Sequence, residues 1–230
     1  MPGGHKRVLK GLEEMTMKAA IRVLPVGFMA VLATGAFGQI IPGDPGSYPS
    51  VSVVNTAHNL NNFPGVNIPG NQVCLPCHTP HNALLAGDDN VLWNHAETGE
   101  TFAMYKSTAG QPEGPSKMCL SCHDGVTAID NYGGNGGTGI VITGAAAIGN
   151  DLTDDHPIGI EYPTGLPAEY RDKSTFAPGV GGGPGVRLVS INSVERVECT
   201  SCHNVHNNGL GNFLRVPIQE SYLCLQCHIK

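Results

Sequence analysis

Cys199-Thr200-Ser201-Cys202-His203-Asn204-Val205-His206 is the stretch on which the reading of this 230-residue chain turns. The same C-x-x-C-H pattern recurs at Cys74-Leu75-Pro76-Cys77-His78, Cys119-Leu120-Ser121-Cys122-His123 and Cys224-Leu225-Gln226-Cys227-His228. Together the four motifs use all eight cysteines. On one helical turn, thiols three residues apart reach the two vinyl groups of one protohaem as thioethers. The adjacent His then sets an imidazole nitrogen on the iron. Cys74, Cys77, Cys119, Cys122, Cys199, Cys202, Cys224 and Cys227 are therefore read as covalent haem c attachments, and His78, His123, His203 and His228 as proximal iron ligands. The expected cofactor is four covalent haems c. A disulfide framework or paired zinc ribbons leave the His after each second Cys unexplained. A thioredoxin-like pair needs a βαβ context that is missing here.

Composition agrees with a chain that wraps something other than itself. It has 31 Gly and 17 Pro, only 6% aromatic and 14% charged residues. Gly and Pro at about a fifth of the chain disfavour long helices, coiled coils and a polytopic membrane protein. A net charge of −6 disfavours nucleic acid as a partner.

Residues 1–38 read as a signal peptide. Lys18 and Arg22 form a basic region, Val23 to Ala33 an apolar one, and Ala36-Phe37-Gly38 a small-residue cleavage site before Gln39. The apolar run is too short to span a bilayer. Met15 or Met17 is an alternative start, and His5 falls before the signal and is discounted. The competing reading is an amphipathic anchor helix over residues 6–24. Cleavage removes five basic and two acidic side chains, so the mature chain is more acidic still.

The remainder, 39–230, reads as a single tetrahaem domain built from an internal repeat. Cys74–Asn82 aligns with Cys199–Asn207, and Ser116–His123 with Ser221–His228. Two dihaem units follow, at about 50–130 and 186–230, joined by a Gly-rich segment. The first unit has the longer spacer, which carries Trp93-Asn94-His95 and Tyr105. The fold class expected is one of few secondary structures around a haem-centred core. Short helices are predicted at 116–123 and 221–228, and one or two short strands at 140–143 and 187–191.

Four irons with proximal His need four further ligands to be closed. His58, His81, His95, His156 and His206 supply five candidates, with His95 the weakest and able instead to pack or to bond a propionate. This surplus favours electron transfer over catalysis. His81 and His206 follow their proximal His by three positions, so each lies on the same side of that haem and should ligate a different one. Met104 and Met118 are read as core. Arg187, Arg196 and Arg215 are the candidates for propionate partners.

The run Val54-Asn55-Thr56-x-His58, Cys74-x-x-Cys-His-Thr-Pro-His81-Asn82, Leu92-Trp93-Asn94-His95, Cys119-Leu-Ser-Cys-His-Asp124-Gly125, Asp155-His156-Pro157 and Phe213-Leu214-Arg215 before Cys224 resembles the doubled-CXXCH multihaem c-type cytochromes. It is similar in particular to tetrahaem, OmcE-like members that polymerise into extracellular cytochrome filaments. The resemblance spans roughly residues 50 to 230. It implies bis-His haems in stacked pairs, and a His of one subunit ligating a haem of its neighbour, for which His81 is the matching position. It also implies self-association and an extracellular location, with other redox proteins or an extracellular electron acceptor as partners; soluble periplasmic members share much of the pattern.

No enzymatic activity is expected. A reductase of small oxyanions would need an open haem with acid/base residues nearby, and a purely structural surface protein does not account for closely paired irons. Gly134-Asn-Gly136-Gly-Thr-Gly139 fits G-x-G-x-x-G without a preceding strand and reads as a loop. Asp151, Asp154 and Asp155 lack EF-hand spacing.

Overall fold

Asn192 and Ser193, at φ 52° and 65°, make the turn of a β-hairpin between β4 (Val189–Ile191) and β5 (Val194–Val197). Two consecutive left-handed residues give the turn whose twist matches the flanking strands. β3 (Ile160–Glu161) adds antiparallel to the other edge of β5, with Ile160 opposite Val197. A separate parallel pair joins β1 (Ala103–Met104) to β2 (Asp151–Leu152). These elements come from a computed structural model that describes residues 52–84, 91–106, 109–165, 168–179 and 185–230. The chain divides into units Met1–Phe37 and Gly38–Lys230, and every described residue belongs to the second. The signal-peptide reading and the alternative start sites therefore fall outside the described residues.

Helix α1 (Gly114–His123) has Pro115 in its first turn, where a fixed φ and a missing N–H are suited. Gly114 precedes it at φ 48°, with the position of a Cβ only 3.0 Å from Ile191 Cδ1. Asp124 closes the helix: its backbone N–H donates to Leu120, and its side chain accepts from the N–H groups of Val126 and Thr127. Helix α2 (Cys199–Cys202) is a single turn and packs on α1. Elsewhere the backbone is loops and 3₁₀ turns, including Gln219–Ser221 and Cys224–Gln226.

The expected class holds: few secondary structures, mostly loops, short helices and short strands. Three details differ. The helix predicted at 221–228 is two 3₁₀ turns instead, with Glu220 and Ser221 at positive φ breaking its start. Residues 140–143 form no strand; Ile140 offers its carbonyl to Ile129 N–H across a loop. β1, β2 and β3 were not anticipated, because two-residue pairings have no periodicity to read.

Apolar packing is local. Phe102, Leu120 and Leu152 form one buried cluster, flanked by Met104 and Ile158. Met118 is 5% exposed, and the core reading of both methionines stands.

Candidate haem-binding site

The proximal histidines are held by backbone built for them. His78 Nδ1–H donates to the Val91 carbonyl at 2.8 Å, His123 to Ala146 at 2.7 Å and His203 to Asn212 at 2.7 Å. A carbonyl only accepts, so each bond places the hydrogen on Nδ1 and leaves Nε2 with its lone pair free. That is the tautomer and second-layer contact expected of a metal-bound imidazole. The carbonyls at motifs one and three come from matching loops. Val91 and Leu92 (φ 44° and 55°) have their counterpart in Asn212 and Phe213 (φ 48° and 56°). Trp93 then bridges to His78 as Leu214 does to His203. Asn94 N–H donates to Cys77 as Arg215 N–H does to Cys202. At motif four, Arg171 N–H donates to Cys227 and Tyr170 bridges to His228. None of this clasp was recognised from sequence. Leu92-Trp93 and Phe213-Leu214 share only apolar character, and the loops before them differ in length.

Three distal candidates face three proximal histidines. Ring centroids are 6.1 Å apart for His58 and His123, 6.2 Å for His78 and His206, and 6.4 Å for His156 and His228. With metal–nitrogen bonds of about 2.0 Å, two imidazoles sharing one metal stand about 6.3 Å apart. The spacing leaves room for an iron and no direct hydrogen bond. His58 is enclosed enough that its pKa falls to about 4, from burial first and then from His123 and His206. Its Nδ1 is buried without a hydrogen-bond partner. Burial, then His78 and Arg215, also lower His206. Neutral imidazole, the ligating form, is thus favoured at both. His156 donates from Nδ1 to the Pro157 carbonyl at 3.1 Å.

His95 has a different role. It is 1% exposed. Nδ1 lies 2.7 Å from the Ala96 carbonyl, and Nε2 lies 3.1 Å from Ala128 O, 3.2 Å from Ile129 O and 3.4 Å from Cys122 Sγ. Carbonyl oxygens lie within hydrogen-bond distance of both ring nitrogens, and among the described residues His95 makes no ring contact with a proximal imidazole. His81 and His203 are exposed, and among the described residues neither faces a second imidazole.

No disulfide joins the eight cysteines. Burial is the leading cause that raises Cys77 and Cys202 to about 11, and it also raises Cys122 and Cys227. Cys119 and Cys199, the first cysteines of motifs two and three, share a side-chain hydrogen bond; that bond and burial raise Cys119. Motifs two and three therefore meet at their attachment points. No group of three or more Cys, His, Asp or Glu converges among the described residues.

Residues 192–230 match the family model of the doubled CXXCH motif. The match covers the third and fourth motifs and supports a place among the multihaem c-type cytochromes, with the haem c binding and electron transfer that the motif implies. No curated protein matches the chain. The imidazole pairs and thiols described above fit such a group. The doubled motif is also where the arginine candidates gather. Arg215 is 5% exposed and donates from Nε to Thr200 O at 2.8 Å; burial and then Arg187 lower its pKa to about 10. Arg187 N–H donates to Ser201 O, and Arg196 donates to Gly159 O at 2.7 Å.

Proposed function

We propose that this chain carries four covalent haems c, each iron held between two imidazoles, and that it conducts electrons as the subunit of an extracellular filament of the OmcE-like kind. The observation that carries the reading is the set of three facing imidazole pairs, with proximal His203 and the exposed distal candidate His81 left over beside the buried His95. When bound, each haem supplies a one-electron ferric/ferrous couple. The chain contributes rigidity. Backbone carbonyls orient His78, His123 and His203, and His58, His206 and His156 close the opposite side. Ligands that stay in place through the redox cycle leave little to reorganise.

The leftover pair gives the filament its contact. His81 of one copy supplies the missing imidazole to His203 of the next, so iron coordination and assembly are one event. Residues 1–38 direct export, and other redox proteins or an extracellular acceptor are the partners. No helix among the described residues is long and apolar enough to cross a membrane, and no nucleic-acid role is assigned.

Low-temperature EPR of the assembled material is expected to show low-spin ferric haem throughout. A substantial high-spin population overturns full bis-His ligation. Electron microscopy of sheared cell-surface material should show filaments; monomers alone, with all haems low-spin in a His81→Ala variant, overturn the inter-subunit ligand and leave a soluble periplasmic carrier. The exposed, unpaired His203 favours one second reading. An isolated monomer that binds nitrite or sulfite at a single high-spin haem would support a reductase.

A further inference from the structure

Glu198 breaks the symmetry of the internal repeat. The residue before the first Cys is Val73, Met118 and Leu223 at the other motifs. Only motif three has an acid there, and it is buried, at 1% exposure, where α2 meets α1. Ser116, three residues before Cys119, donates its hydroxyl to Glu198 Oε2. The same Oγ accepts the Cys199 N–H at 2.9 Å, and Ser201 Oγ accepts the Glu198 N–H at 2.9 Å. Glu198 Oε1 has no hydrogen-bond partner and is buried. One serine thus ties this carboxyl to the attachment cysteines of motifs two and three, the place where the two dihaem units join.

The charged and titratable groups around it are few. Glu113 comes from the residue before α1 and Arg196 from β5; Cys119 and Cys199 carry no titratable thiol once haem is attached. Burial raises the Glu198 carboxyl, while Ser116 and Arg196 pull it down and Glu113 opposes them. A buried carboxylate gains from a proton when positive charge nearby is lost. Reduction of a nearby iron removes one positive charge. By linkage, whatever the electron does to the proton affinity, the proton does to the electron affinity.

On the haem-binding reading above, we propose that Glu198 is a redox-linked proton site at the junction of the two dihaem units. Each electron arriving from the neighbouring haem converts Fe(III) to Fe(II). A proton from water converts the Glu198 carboxylate to the acid, and both leave when the electron moves on.

The test is potentiometry of the purified holo-cytochrome from pH 5 to 9, with redox-induced infrared difference spectra. The wild type is expected to show one or two haems whose potential falls with rising pH by up to a tenfold equilibrium shift per unit, about 59 mV for a one-electron couple. A carboxylic-acid C=O band should appear on reduction. Glu198→Gln, which keeps shape and bonding capacity, should flatten that slope and remove the band. Ser116→Ala keeps the acid but strips its hydrogen bond, and should move the sloping region to higher pH. A haem-replete wild type with flat potentials overturns the proposal, as does a Glu198→Gln protein that retains slope and band, which would assign them to propionates. A preparation that lacks haem c overturns the proposed function itself and is recognised from its optical spectrum.

Discussion

At the scale of single residues, the five non-motif histidines separate by what their ring nitrogens touch. His58, His156 and His206 each face a proximal imidazole across a gap of metal-ligand size. His95 is surrounded by carbonyl oxygens of its own chain. Replacing His58, His156 or His206 by Ala is expected to turn one haem high-spin, read by EPR at low temperature, with the other haems unchanged. His95→Ala should leave the spin states of the wild type intact. It should instead cost about 1–3 kcal/mol of stability in a denaturant melt, since buried carbonyls lose their donor. A new high-spin signal in His95→Ala would return it to the ligand set.

Among elements, two devices organise the loops. One is the left-handed residue pair, which presents a carbonyl to His78 at Val91 and to His203 at Asn212. Val at positive φ is strained, and such strain persists only where surrounding structure enforces it. The other is the β4–β5 hairpin, whose last residue Val197 leads directly into Glu198 and α2. Asn192→Val puts a β-branched side chain at φ 52° and is expected to destabilise by about 1–2 kcal/mol. Thermal unfolding checks this, and an unchanged melting temperature would mean that the turn relaxes. Gly137 offers a sharper case: at φ 69° a Cβ there would lie 2.8 Å from Ala128 Cβ. Gly137→Ala should cost about 1–3 kcal/mol by overpacking.

For the molecule as a whole, apolar packing among the described residues is sparse. The cluster of Phe102, Leu120 and Leu152 is small for the length of chain described, and a domain of this size normally buries far more of its surface. On the proposed four haems, porphyrins would supply apolar volume that the side chains do not. Chain expressed without haem attachment is therefore expected to show no cooperative melt by circular dichroism, and a sharp apo transition would contradict it. Assembly belongs to this scale too. On the proposed filament, His81→Ala should abolish assembly and leave one haem per copy without its second imidazole.

Much of this was open to reading in the primary structure because covalent attachment is a local requirement. Two thiols and an imidazole must sit on one turn, so the motif, the attachment residues, the proximal ligands and the loop-rich class are all written in short spacings. The repeat and the inability of His81 and His206 to cap their own irons are local as well. Which distal His meets which proximal one is a long-range matter: His58 finds His123, His78 finds His206, and no spacing rule connects them. The same holds for the clasp at Val91 and Asn212, for His95 turning its nitrogens to Ala96 and Ala128, and for Glu198 meeting Ser116 between the motifs. Sequence determined what chemistry each turn of chain can hold, while the tertiary structure decided which turns face one another, because that depends on the path of loops that carry no periodic signal.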